Sequence, residues 1–409
     1  MNRKQLIFTL VALGALFISA QAKGPVIRVK VAQSPDGIFI VPDKEMQVGG
    51  YQQGKITCQY HAQEGLTVRL DSGNIALEQS GGILETELDQ VLVAPKSATD
   101  FLSLNGKKYR GKLRILIDNQ EEGLVAINLV SLEDYLKGVV PLEMGIKLIT
   151  NNREREALKV QAVAARTYAL AKLGQYPNRP YDLESTVADQ VYGRVEVEEK
   201  IVNQAINKTS GRVLVNSNHL VKAYFHANCG GYTEAIEKAW PWKEPEKYLR
   251  PKTDSDFCSW GKNYTWSQSF TKEHLEGSIS AFLAKSIKDS TFQCGNLSDL
   301  QVLERSESGR IMLLKIITDS GEWEVKSDSI RWCFRRSLPE GPILPSTKFD
   351  FTLFKNEAGQ VDSAQFNGFG NGHGVGMCQI GAIGRARAGQ SFRQILAHYY
   401  PGARLVKRY

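Results

Sequence analysis

Apolar and polar residues alternate with a period of two through the early chain, as in Val26-Ile27-Arg28-Val29-Lys30-Val31 and Gly37-Ile38-Phe39-Ile40-Val41. Asp71-Ser72-Gly73 and Gly81-Gly82 punctuate the alternation with turn residues. This pattern predicts half-buried strands and a small β-rich domain over residues 23–100, with further strands at Lys112–Ile117 and Leu124–Leu129. At Ser131 the period changes. Ser131-Leu-Glu-Asp134 reads as a helix start whose helix stops at Gly138, and Asn151-x-x-Glu154 opens a longer helix that reaches Leu173 before Gly174 and Pro177. On that helix Arg166 lies between Val163 and Leu170, which brings its guanidinium out from the apolar side or its edge.

Further on, the spacing predicts a helix over 196–209, then a hairpin of Arg212–Val215 with Leu220–His226 that turns at Asn216-Ser217-Asn218. A helical stretch near 272–288 and strands at Arg310–Thr318 and Glu322–Lys326 fill the middle. A glycine-rich loop, Gly368 to Gly376, then runs into a helix near 377–388, and Ser391-x-x-Gln394 caps a last helix that ends before Pro401. Helices and antiparallel hairpins in runs predict an α+β fold.

The N-terminus suggests a compartment. Arg3 and Lys4 precede an apolar run from Leu6 to Ile18, and Ala20-Gln21-Ala22 is a small-x-small cleavage site, so residues 1–22 read as a secretory signal peptide. The run falls short of the ~20 residues that span a bilayer. The expected mature chain is exported, without a membrane span, and is periplasmic or extracellular. With 51 Lys+Arg against 44 Asp+Glu and no basic block, the net charge of +7 does not argue for nucleic acid. The six cysteines, at 58, 229, 258, 294, 333 and 378, include no Cys-x-x-Cys pair. An oxidising compartment permits disulfides among them.

Several residues stand out for their chemistry. Glu143 follows Val139-Val-Pro-Leu142 and precedes Met144, a setting in which desolvation would raise a carboxyl pKa and suit a general acid. The competing reading is a surface glutamate in the first turn of a helix. The tract Gly370-Asn-Gly-His373-Gly-Val-Gly376 alternates glycines around His373, which lets a ligand or another backbone approach closely. His226, Cys229 and Cys258 supply three zinc-type donors, but a Cys229–Cys258 disulfide is the preferred reading of that segment and no cofactor is expected. Trp240, Trp242 and Trp260 suit either stacking on sugar rings or core packing.

At these residues the sequence resembles the stage II sporulation protein D / LytB (SpoIID/LytB) family of cell-wall proteins. The matching segments, in order, are Leu132–Met144, Ala157–Ala169, Asp189–Gly193, Ala223–Glu234, Gly372–Ala382 and Ile395–Gly402. The resemblance implies a SpoIID-like region over 101–409, with core motifs in 131–234 and 370–402, an accessory segment at 260–350 and a glycan groove. It further implies a peptidoglycan lytic transglycosylase acting on glycan strands stripped of stem peptides. Glu143 would protonate the bond between N-acetylmuramic acid and N-acetylglucosamine and then take the muramyl 6-hydroxyl proton, leaving 1,6-anhydro ends.

Under the same resemblance Arg166 and Tyr168 are supporting residues and His373 and Gln379 line the groove. Some family members carry a zinc near the Cys-Gly-Gly segment, which keeps His226, Cys229 and Cys258 as the minority metal reading. Two departures stand out: Cys378 where the family commonly has Ser, and Gly145 where it commonly has Pro.

Two further readings compete with the lyase. One is a non-catalytic peptidoglycan-binding protein that stimulates a partner amidase. The other is a hydrolase, which requires a second carboxyl such as Glu184 or Asp189 opposite Glu143.

Overall fold

The computed structural model describes residues 24–118, 123–338 and 341–409; the expected signal peptide, 1–22, lies outside them. The fold is mixed α+β, β-rich early in the chain and mixed later, and it divides into two compact units. Among the described residues no helix is long and apolar enough to cross a membrane.

The first unit takes in the chain to Ile146, Ala169–Gly211 and Tyr409. Its seven-stranded sheet has the order Leu183–Glu184, Val26–Ser34, Gly123–Ser131, Lys112–Asp118, Gln90–Pro95, Met46–Gln52, Lys55–Ala62. A six-stranded sheet follows the order Lys107–Tyr109, Leu102–Leu104, Gly37–Pro42, Leu66–Asp71, Asn74–Gln79, Gly82–Leu88. The two sheets meet face to face, and the alternation read from the sequence sends Ile27, Val29, Ile38, Ile40, Val68 and Val93 inward.

Helix α1, Leu132–Met144, is capped by Ser131, whose hydroxyl accepts from the Asp134 amide at 3.2 Å. It does not stop at Gly138, as its sequence suggests, but runs on through Pro141 to Gly145, a C-cap in the left-handed conformation (φ 56°). Gly138 is a contact residue instead: a Cβ there would lie 2.6 Å from the Tyr192 ring and 2.9 Å from the Arg194 amide nitrogen. Helix α2, Arg155–Lys172, contributes residues to both units. Helix α3 is shorter than its spacing predicts, Lys200–Lys208, because Val195–Val197 form a separate 3-10 turn.

The second unit comprises Lys147–Tyr168 and Arg212–Arg408. At the start of α2, Asn151 Oδ1 accepts from the amides of Arg153 and Glu154 at 2.9 and 3.2 Å. The predicted hairpin forms between Arg212–Asn216 and His219–Leu220. Ser217 and Asn218 both have positive φ, as a two-residue turn of this hand requires, and Arg404–Lys407 adds a third strand.

Two three-stranded sheets follow: Thr265–Thr271, Val361–Phe369, Phe349–Lys355, and Leu297–Arg305, Ile311–Thr318, Gly321–Lys326. With helix α4, Lys272–Ile287, they enclose a core that includes Phe270, Leu275, Ile279, Ile316, Phe334 and Phe366. The chain closes through α5, Gln379–Arg387, and α6, Phe392–Tyr399; Ser391 and Gln394 form the capping box expected of α6.

The contact at Gly138 decides between two opposing effects. Alanine in a helix interior is favoured over glycine by roughly 1 kcal/mol, whereas overpacking against a ring and a backbone amide costs about 1–3 kcal/mol. Gly138→Ala is therefore expected to lower the unfolding free energy in urea titrations. A gain in stability would show that the glycine serves as an ordinary helical position.

Candidate functional site

In the first unit the Asp189–Gly193 segment lies along α1. The Gly193 amide donates to the Gly138 carbonyl at 2.9 Å, the Tyr135 hydroxyl donates to Gln190 Oε1 at 3.3 Å, and the Tyr192 hydroxyl donates to the buried Asn128 Oδ1 at 3.1 Å. Glu143 joins this set: its Oε1 accepts from the Val191 amide at 3.2 Å. It is partly buried and stands in the last turn of α1 rather than the first, with no basic residue in that turn. A carboxylate meets the negative end of the helix dipole there, and the Val191 N–H offsets this. Of the carboxyls considered as its partner, Asp189 ion-pairs with Lys172 at 2.9 Å and accepts from the Glu184 amide at 2.9 Å.

The remaining candidates belong to the second unit. His373 packs 4.8 Å from the Trp240 ring and 6.2 Å from Tyr224, and Tyr168 meets Tyr224 edge-on at 5.9 Å. Lys243 donates to the Tyr224 hydroxyl at 2.7 Å and lies over both the Tyr224 and Trp240 rings. Both nitrogens of His373 are engaged by backbone. Nδ1 accepts from the Val375 amide at 3.0 Å, so Nε2 carries the proton and donates to the Phe225 carbonyl at 3.0 Å. Burial pushes its pKa down to about 4. Arg166 is fully buried and donates to the carbonyls of Ala162 and Arg212. Gln379, also buried, donates to Gln161 Oε1 at 3.4 Å. The second unit thus joins His373 to Tyr168 through Tyr224.

The glycine tract admits other parts of the chain. Asn371 and Asn228 exchange backbone hydrogen bonds at 2.8 and 2.9 Å, and a Cβ on Gly376 would lie 2.1 Å from the Tyr224 carbonyl. At Gly374 a Cβ would lie 2.7 Å from Nε of Arg310. Arg310, only 1% exposed, donates to the carbonyls of Gly372 and Cys229, both at 3.2 Å, and its Nε has no hydrogen-bond partner among the described residues. Sequence reasoning missed this residue, because one arginine at the start of a strand carries no local signal of burial.

Behind the tract four buried donor groups converge. The ligand atoms of Cys229, Asp254, Cys258 and Cys378 lie within 4.8 Å of one another, a set able to coordinate a metal ion. Of the residues in the minority metal reading, Cys229 and Cys258 belong to this group and His226 does not: its Nδ1 meets the Val375 carbonyl at 3.1 Å, and Asp254 and Cys378 are the other two donors. The preferred Cys229–Cys258 disulfide is not formed: the sulfurs are 3.5 Å apart, against about 2.05 Å for a bond, and all six cysteines are free thiols.

Hydrogen bonds from the Cys229 and Cys378 thiols pull the Cys258 pKa down to about 3, whereas burial raises those of Cys229 and Cys378. Asp254, which sequence reasoning also missed, accepts from Arg385 Nε at 3.0 Å and from the Tyr399 hydroxyl at 2.8 Å. Its signal was the spacing Asp254-x-x-x-Cys258. Cys378 also replaces the usual serine in a definable role, as the N-cap of α5, accepting from the Gly381 amide at 3.3 Å.

With this geometry established, comparison with known proteins places the chain. Residues 120–216 match the family model of stage II sporulation protein SpoIID, and residues 243–376 match a domain of unknown function, DUF8618. An uncharacterised protein of Brachyspira hyodysenteriae is 30% identical over 75% of this chain and 74% of its own length. The amidase enhancer of Bacillus subtilis is 28% identical over 83% of this chain, which spans about half (49%) of that relative. Stage II sporulation protein D of Bacillus amyloliquefaciens is 27% identical over 67% of this chain and 73% of its own length.

The chain belongs to the SpoIID/LytB-like family, which includes relatives of the amidase-enhancer type. These relatives overturn the expected lytic transglycosylase. The relative matched over 83% of this chain is named for enhancing an amidase, not for cutting glycan. The lyase activity and the lyase description are withdrawn.

Two outcomes follow from the site. Arg310→Met strips two buried carbonyls of their donor at about 1–3 kcal/mol each, so urea titration is expected to show a loss of roughly 2–4 kcal/mol; an unchanged midpoint would contradict the buried role. Burial also holds His398 at about 4 and pushes His226 well below the ordinary imidazole value, so all three imidazoles are neutral when folded near neutral pH and take up protons once unfolded. Their contribution is complete above about pH 6.5 and is lost as pH falls toward 4. The slope of unfolding free energy against pH in that window should be shallower in His373→Gln than in wild type.

Proposed function

We propose that this protein is an exported, non-catalytic, peptidoglycan-binding activator of a cell-wall amidase. The observation that carries the reading is the match to an amidase enhancer over 83% of the chain. The geometry supports it. Glu143 accepts from a backbone amide and both nitrogens of His373 hold backbone groups, so these side chains serve to fix loops. The N-terminal signal pattern supplies the route to the wall. Glycan is held in a groove of the second unit, where Trp242, 71% exposed, follows the half-buried Trp240 of the His373 cluster and offers a face for a sugar ring.

The buried donor group is read as a structural zinc site. Three thiolates and one carboxylate form a closed set of four, which zinc favours over the harder cations. Arg310 and Lys348, both close enough to interact with the thiol cluster, stabilise its anionic form. Zinc bound by Cys229, Asp254, Cys258 and Cys378 would tie the glycine tract to the segments before it.

Adding the purified mature protein to a cell-wall amidase on intact peptidoglycan is expected to raise stem-peptide release severalfold, and Trp242→Ala to weaken sedimentation with the wall. No change in amidase rate at any protein concentration would contradict the reading. For the metal, elemental analysis should give about one zinc per chain in wild type and none in Cys258→Ser, with a lower Tm for the variant. A metal-free wild type that melts at the same temperature with and without added zinc would refute the site.

A further inference from the structure

Beyond the cluster, one exposed sheet face of the second unit is built for a ligand of definable chemistry. In the sheet Thr265–Thr271, Val361–Phe369, Phe349–Lys355, the strand register places Ser267, Asn367 and Asp350 in one row and Ser269, Gln365 and Thr352 in the next. Phe369, 41% exposed, closes this face at one end and Phe354, 52% exposed, at the other. Surface strands commonly carry lysines and glutamates. Within these two rows the single ionisable side chain is Asp350, and Arg305 neutralises it at 2.7 Å.

The polar groups are oriented by one another. The Ser269 hydroxyl donates to Gln365 Oε1 at 2.5 Å, the Gln365 amide donates to the Ser267 hydroxyl at 2.5 Å, and Ser267 donates to Asn367 Oδ1 at 2.8 Å. This relay engages Oδ1 of the exposed Asn367, which orients its side-chain amide and assigns the NH2 as the group that donates to a ligand. It opens on a depression of about 390 Å³ lined by Thr265, Ser267, Asn367 and Phe369, where Gly368 leaves room for the Trp266 ring below. At that end Lys348 lies over the Phe369 ring, but its ammonium donates to the Gly230 carbonyl at 2.9 Å.

We infer that this face binds a glycan strand through its N-acetylated sugar rings, by their neutral hydroxyl and acetamido groups, as a second wall contact separate from the Trp242 region; the inference rests on the wall-binding reading above. The charge pattern selects the occupant. The charges at this face are already engaged, Asp350 by Arg305 and Lys348 by the Gly230 carbonyl, so the groups left for a ligand are hydroxyls, amides and rings, which suit sugar hydroxyls better than an acidic or basic peptide. The Asn367 NH2 matches an acetamido carbonyl, the row of hydroxyls matches sugar hydroxyls, and the Phe369 ring matches the apolar face of a pyranose.

The test is calorimetric titration of the full mature protein with the β-1,4-linked hexamer of N-acetylglucosamine, a neutral probe. Wild type is expected to bind, the Gln365→Ala/Asn367→Ala double variant and Phe369→Ala at least tenfold more weakly, and Trp242→Ala to retain a component that these variants lose. Because the substituted side chains lie at the surface, unchanged melting temperatures confirm that the variants fold. Equal hexamer affinity in wild type, the double variant and Phe369→Ala would overturn this inference while leaving wall binding through Trp242 intact. Tighter binding of stem peptide than of the hexamer would overturn it in favour of a peptide surface. If wild-type protein fails to sediment with peptidoglycan at all, the wall-binding reading fails with it.

Discussion

The second unit depends on the direct approach of two backbones, the glycine tract around His373 and the segment from Tyr224 to Glu234. Their exchange of hydrogen bonds between Asn228 and Asn371 demands a separation that side chains would prevent, and Gly376 lies where any Cβ would strike the Tyr224 carbonyl. That approach sets the positions of the groups around it. It gives His373 its backbone partners at Phe225 and Val375, brings Cys378 to the amide of Cys229, and opens the space that Arg310 fills. Arg310 comes from the segment between the two halves of the core motifs. A buried guanidinium is costly unless its surroundings are carbonyls or anions; the carbonyls of Gly372 and Cys229 accept from it, and the Glu234 carboxylate, followed by Cys229 of the thiol cluster, favours its charge.

Much of the local structure was legible because it rests on short-range rules. The alternation from Val26 onward became strands with one face buried, Asn151 and Ser391 capped the helices they announced, and Ser217-Asn218 formed the hairpin turn. The misreadings share a cause. Gly138 looked like a helix stop because a sequence shows missing side chains but not the ring of Tyr192 that uses the space. His226 looked like a ligand because it lies three residues from Cys229, while the other two donors of the group are Asp254, one short spacing before Cys258, and Cys378, more than a hundred residues further on. Arg166 is no misreading: the spacing left the apolar side or its edge open, and the residue is fully buried with backbone carbonyls as partners.

The same distinction governs the reading of function. A carboxylate in an apolar stretch of sequence suggested an acid catalyst, but its surroundings are set by the Asp189–Gly193 segment, whose Val191 amide it receives. Motifs that line up with the family therefore identify what holds the loops in place more directly than they identify chemistry. Under the function proposed above, those fixed loops would serve contacts with the wall and with a partner enzyme, and the thiol cluster would fix them further.

A protein that promotes an amidase without cutting glycan itself is recognised by the products of one digestion: peptidoglycan treated with a cell-wall amidase, with and without this protein, followed by mass spectrometry of released peptides and of glycan chain ends. The expected result is more free stem peptide and an unchanged distribution of glycan lengths. Shortened strands with new chain ends, appearing in the presence of this protein alone, would contradict it.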